Sequence, residues 1–201
     1  MAVSLKYRNK PAILMATGPS LTEEVIETIR PYKDKYAIFG CNDTYAVVDY
    51  LDEHYACDTT WWNYHGAKVV QKYPNSWTQC KNSAEKFKLN YIAGKTARGL
   101  SLASNLIHYG SNSGYQQLNV AFLMGCSKFI LVGYNMGVPE GKQKHYFGAH
   151  PEEVNRSSTY KKFILAYNTI QPEIKELIIN CTTDSALTTF RKGTLKEELE
   201  L

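Results

Sequence analysis

Short apolar runs alternate with amphipathic stretches along this chain. Residues 12–16 (AILMA) form a compact apolar run behind Pro11, which reads as a buried strand. Thr17-Gly18-Pro19-Ser20 breaks the run, and Ser20-x-x-Glu23 has capping-box spacing ahead of a helix with Val25, Ile26 and Ile29 on one face. Strands follow at 36–39 and 55–57, then a helix at 59–73 stopped by Pro74. Residues 77–80 and 88–93 suit short strands, and the Gly-, Ser- and Asn-rich stretch 94–110 reads as loop. Ser113-x-x-Gln116 again has capping-box spacing, opening a helix that runs to about Met124 and ends at Gly125. The clearest strand is 128–132. A polar, glycine-rich loop (137–151), a helix (152–171), a strand (176–180) and a short helix after Thr194 complete the pattern.

This alternation predicts an α/β fold: a doubly wound, mainly parallel sheet covered on both faces, with 12–16 and 128–132 near its centre. Residues 1–201 read as a single domain, with loop or lid segments at about 75–110 and 137–151. In such sheets ligands sit outside the carboxyl ends of the strands. The sequence brings Thr17-Gly18, Asn42, Asp58, Asn135 and Cys181-Thr182 to that edge, which points to a nucleotide or a nucleotide-activated small molecule.

Each of these segments has a structural reading beside the functional one. Gly18-Pro19-Ser20 can let backbone approach an anion at a helix start, or form a plain turn; it is neither a dinucleotide fingerprint nor a P-loop. The Asn42 carboxamide can read a base or sugar edge, or close an Asx-turn. Asn112-Ser113-Gly114 can hold a phosphate, or cap its helix. His145, in Lys142-Gln143-Lys144-His145-Tyr146-Phe147-Gly148, can act as a general base or stand solvated. His145, His150, Glu152 and Glu153 lack zinc-like spacing, so no metal ligands are assigned. Trp61-Trp62 can form a stacking wall, but adjacent helical residues point about 100° apart, which places at least one in the core.

Composition narrows the classes. A formal charge of +4 and pI of about 8.7 permit an anionic ligand but fall short of a nucleic-acid-binding stripe. The five cysteines are odd in number and show no C-x-x-C spacing, and the N-terminal MAVSLKYRNK has no long apolar core, so free thiols in a cytoplasmic protein are expected. No apolar run is long enough for a membrane span.

Five segments in order, GPSL, GCND, NSGYQQLNVAFLMGCSKFILVGYNM, HYFG and INCTTDSALTTF, resemble a group of often phage-encoded proteins. These are similar to bacterial sialyltransferases of the Campylobacter type and to archaeal 6-hydroxymethylpterin diphosphokinase-like proteins. The resemblance spans almost the whole chain and implies a Rossmann-like fold with a bound nucleotide. It implies nucleotide contacts at Gly18, Pro19, Ser20, Asn42, Ser113 and Gly114, and at Gly133, Tyr134 and Asn135, where the family carries phosphate-binding tyrosines. It implies a catalytic histidine at His145 and a closing segment at Cys181-Thr182-Thr183-Asp184-Ser185. The chain departs from the family at Thr17, at Tyr134-Asn135, and at Gly110, where an acceptor-side arginine is missing.

The expected activity is therefore metal-independent transfer of a glycosyl group from a CMP-type nucleotide sugar to an acceptor hydroxyl, with no further cofactor. The acceptor is open, a glycan or a modified nucleic-acid base among the options, and so is a homo-oligomer. Two alternatives stand beside it: a diphosphokinase-like enzyme using ATP and magnesium, with Asp43, Asp58 and Asp184 as the available carboxylates, and a non-catalytic module that sequesters a nucleotide.

Overall fold

The computed structural model describes residues 2–137 and 159–201. His145, most of the 137–151 loop and the first residues of the expected 152–171 helix lie outside them. Among the described residues the main sheet has eight strands, all parallel: β1 (Ala12–Met15), β2 (Ala37–Cys41), β3 (Glu53–Tyr55), β4 (Trp77–Thr78), β5 (Asn90–Tyr91), β8 (Phe129–Val132), β9 (Ile178–Asn180) and β10 (Arg191–Lys192). Their order is β10-β9-β8-β1-β2-β3-β4-β5. The chain therefore winds outward from β1 in one direction through β5, then returns to the other side of β1 through β8. The central strands pair as expected, Ile13 against Ile38 on one side and Ile130 on the other. A separate two-stranded parallel sheet is formed by β6 (Ala93–Lys95) and β7 (Leu106–His108).

Alternation along the strands builds two apolar layers. Ala12, Leu14, Phe39 and Leu131 face α5 (Ser113–Leu123), α6 (Tyr160–Asn168) and α7 (Pro172–Lys175), meeting Leu118, Tyr167 and Ile174. Ile13, Met15, Ile38 and Val132 pack against Ile26 and Ile29 of α1 (Glu23–Ile29) and Leu199 of α8 (Leu195–Glu200). A third cluster joins α2 (Thr44–Val47), α3 (Thr59–Lys72) and α4 (Lys81–Phe87) around Trp62 and Val69. Both tryptophans belong to it: Trp61 and Trp62 are buried, their indole N–H groups donating to Asp43 Oδ2 (3.0 Å) and to Ala56 O (3.0 Å). They form no exposed stacking wall.

Several local expectations change. The third strand is Glu53–Tyr55 rather than 55–57, because its leading residues are polar yet buried: Glu53 accepts from Lys6 Nζ (2.6 Å), Tyr7 Oη (2.9 Å) and Trp77 Nε1 (2.9 Å). Residues 75–110 are not loop throughout; they carry β4, α4, β5, β6 and β7. Asn119 on α5 fixes this region by bonding both backbone groups of Ser101 and the amide of His108. Both expected capping boxes shift. Thr22, not Ser20, caps α1 by accepting from Val25 N (3.3 Å), and Asn112, not Ser113, caps α5 by accepting from Tyr115 N (2.8 Å). All five cysteines are free thiols. Among the described residues no helix is long and apolar enough to cross a membrane.

Candidate functional site

The strand order turns over between β1 and β8, so the loops leaving these strands head for opposite faces. Glycine lets them meet. Gly18 N donates to Gly133 O (2.9 Å), and a Cβ on Gly18 would lie 2.3 Å from Asn135 Oδ1. Gly133 has φ +75°, and a Cβ there would lie 2.2 Å from Ala16 O. Both glycines are thus required by the contact between the two loops. Asn135 locks the junction: its Oδ1 accepts from Ser20 N (3.2 Å) and Ser20 Oγ (2.7 Å), while its Nδ2 donates to Thr183 O (2.9 Å). One buried carboxamide therefore ties together the loops after β1, β8 and β9.

The expected site residues divide into two groups around this clamp. On the α1 and α8 side, Pro19, Ser20, Gly133 and Asn135 line a cleft of about 550 Å³, whose far wall carries Lys192 and Lys196. Asn42, Ser113 and Gly114 do not reach that cleft. They lie across the junction, where α5 packs over β1, β2 and β3. Tyr134 reaches neither: it is fully buried, and its hydroxyl accepts from Gln117 Nε2 (2.7 Å) and donates to Gly114 O (3.2 Å). Burial pushes that phenol well above its ordinary pKa, so it stays a neutral core group.

Asn42 stands at the end of β2 with φ +49°, a conformation few non-glycine residues adopt. Its half-buried carboxamide bonds to none of the described residues. Its backbone is held on both sides by β3: Asn42 N donates to Tyr55 O (2.9 Å), and Asn42 O accepts from His54 Nε2 (2.8 Å). Met136 and Asp184, beyond β8 and β9, and Ser111, just before α5, also have positive φ, as do Asn9 and Lys88 ahead of β1 and β5. At α5 the first-turn amides of Ser113 and Gly114 pair with none of the described residues. Ser113 Oγ is engaged with Cys57, accepting from its amide (3.2 Å) and donating to its Sγ (3.1 Å). Gly114 is small because of Tyr134, whose ring would lie 2.9 Å from a Cβ there.

Two features of the edge have no signal in the sequence. Cys80 follows β4 and heads α4. Burial works against its thiolate, but the Ser83 and Thr59 hydroxyls and nearby backbone amides hold its thiol below the ordinary pKa. Cys57, by contrast, is pushed up to about 12 by burial and by Asp58. The second feature is His54, which burial lowers to about 4. Its ring lies between Trp61 (centroids 5.6 Å, 28°) and Tyr73 (6.2 Å, 16°), near Asp43 and His65. Because Nε2 faces a carbonyl, that nitrogen carries the proton.

A pH dependence follows. The folded pKa lies below the unfolded value near 6.5, so the folded state binds fewer protons between them. The stability that His54 contributes is complete above about pH 6.5 and is lost as pH falls toward 4, a change of about 3 kcal/mol. Urea midpoints of the wild type should drop across this window, and His54→Gln should flatten the drop. An unchanged slope in the variant would assign the acid sensitivity to other groups.

The three candidate carboxylates are not gathered. Asp43 is buried against Trp61 and His65, and Asp184 follows β9, three strand positions from β2, about 14 Å at ordinary spacing. Among the described residues no group of three His, Cys, Asp or Glu side chains is placed to hold a metal ion.

No protein-family model matches the chain, and no curated protein matches it by sequence. The fold has a solved counterpart. The chain is similar to the structure of the MAf glycosyltransferase from Magnetospirillum magneticum AMB-1, with a TM-score of 0.65 and 14% identity. The match covers 96% of this chain and 35% of that one, so the chain spans about a third of its neighbour's length. At that identity the likeness establishes a shared fold: a Rossmann-like, doubly wound parallel sheet.

Proposed function

We propose that the chain binds a nucleotide-activated sugar of the CMP type at the carboxyl edge of its sheet and transfers the glycosyl group to an acceptor hydroxyl. The observation that carries this reading is the turnover of strand order between β1 and β8. Beside it stand the Asn42 carboxamide and the two first-turn amides of α5, the polar groups suited to a base or sugar edge and to a phosphate. Support also comes from the fold shared with a glycosyltransferase and from the resemblance of five ordered segments to sialyltransferases and their phage-encoded relatives.

In this reading the α5 amides and the turn at Gly18 steady the leaving nucleoside monophosphate. His145 takes the proton from the acceptor hydroxyl as the glycosidic bond forms. Neither step uses a metal, so transfer proceeds in EDTA, whereas ATP-dependent pyrophosphoryl transfer does not. A glycan or a modified nucleic-acid base is the acceptor class.

Calorimetry across CMP, CDP, UDP, ADP and GDP is the direct test, with tightest binding expected for CMP. Asn42→Ala should weaken that binding by about 1–3 kcal/mol, because a ligand polar group loses its partner. If no nucleotide binds more tightly than about 1 mM, the reading fails.

A further inference from the structure

The left-handed turn at Asn42 is held from below by one unusual side chain. His54 is fully buried on β3, yet its Nε2–H donates to the Asn42 carbonyl at 2.8 Å. The next residue, Tyr55, accepts the Asn42 amide at 2.9 Å. Both backbone polar groups of a strained residue are thus fixed by one strand, an arrangement that over-determines the conformation. The ring itself has little freedom. Trp61 and Tyr73 flank its faces, Tyr45 and Trp62 meet it edge-on, and Ser76 Oγ lies 3.2 Å from Nδ1. An apolar residue would fill this aromatic pocket at lower desolvation cost, but it would leave the inward-pointing Asn42 carbonyl without a donor. The half-buried carboxamide that Asn42 carries on this fixed backbone hydrogen-bonds to none of the described residues.

We infer that His54 is a positioning residue, whose ring N–H sets the Asn42 turn and thereby aims the Asn42 carboxamide at the bound nucleotide. The inference rests on the proposed nucleotide site. It adds that affinity there is controlled by a histidine which never touches the ligand.

The test pairs two readouts on the full chain. His54→Phe keeps the stacked ring and removes the donor; His54→Gln restores an N–H at similar reach. Amide hydrogen exchange at Asn42 and Asp43 should accelerate about tenfold or more in His54→Phe, while the β1 amides stay protected, and should return to within about threefold of wild type in His54→Gln. The Kd for CMP, or for whichever of the five nucleotides the wild type binds most tightly, should rise about tenfold and recover in the same way. Ile29→Ala, a core cavity at the end of α1 on the side of the sheet away from α5, should lower stability without moving Kd. If His54→Phe does not fold, His54→Leu serves in its place.

Unchanged exchange at Asn42 in the donor-less variant overturns the inference. So does no recovery in His54→Gln, or an equal rise in Kd for Ile29→Ala. If the wild type binds no nucleotide, the proposed function falls, while the exchange measurement still decides whether His54 sets the turn.

Discussion

Replacing His145 with alanine is expected to lower transfer by about 100- to 10,000-fold while leaving nucleotide affinity nearly intact. The expectation comes from sequence and chain order. His145-Tyr146-Phe147-Gly148 resembles the catalytic segment of the sialyltransferases, and the connection containing it leaves the sheet after β8, on the carboxyl side of the strand-order turnover. A general base acts on the acceptor proton in the transition state and contributes little to holding the donor, so its loss appears in turnover. The measurement is release of CMP from a CMP-sugar with acceptor present, set beside calorimetry of CMP alone. Parallel loss of affinity and rate would make His145 a phosphate contact. Unchanged turnover would remove it from the mechanism.

Glu53→Ala should cost about 3–5 kcal/mol of folding stability, a large part of the total for a domain of this size. The carboxylate is 5% exposed and serves three donors at once: Lys6 from the N-terminal segment, Tyr7 beside it, and Trp77 from β4. Burial, reinforced by Glu53, pushes the Tyr7 hydroxyl pKa upward, so it remains a neutral donor. Alanine leaves the Tyr7 hydroxyl and the Trp77 indole N–H in the core without an acceptor, and each stranded group carries its full desolvation penalty. Glu53→Gln keeps one acceptor oxygen and should lose less. Urea denaturation at neutral pH measures both; a loss under about 1 kcal/mol for alanine would show that water or neighbouring groups replace the carboxylate.

Glu53 and His54 also explain why the apolar pattern places the third strand at 55–57, two residues late. A buried strand is recognised by its apolar residues, and here its first two positions are a carboxylate and an imidazole. Their burial is tolerated because Tyr7, Trp77 and the Asn42 carbonyl come from distant segments. Thr22 and Asn112 outcompeted the capping boxes at Ser20 and Ser113 for a similar reason. Ser20 is drawn away by Asn135 and Ser113 by Cys57, partners 115 and 56 residues distant in the chain.

What the sequence determined by itself is the doubly wound parallel sheet. Residues 12–16 and 129–132 are apolar on both faces, a pattern stable only when helices cover each side, and the glycines at 18 and 133 mark where two such strands end. Local apolar periodicity and turn chemistry are enough to specify that much. The division of the carboxyl edge was decided only by tertiary structure. The clamp at Asn135, the burial of Tyr134, the cleft between α1 and α8, and the hold of His54 on Asn42 all depend on side chains from separate strands meeting across the sheet. A carboxamide or hydroxyl reads the same in sequence whether it faces a ligand or a neighbouring loop, because its hydrogen-bonding capacity is fixed by its chemistry and its partner by the fold.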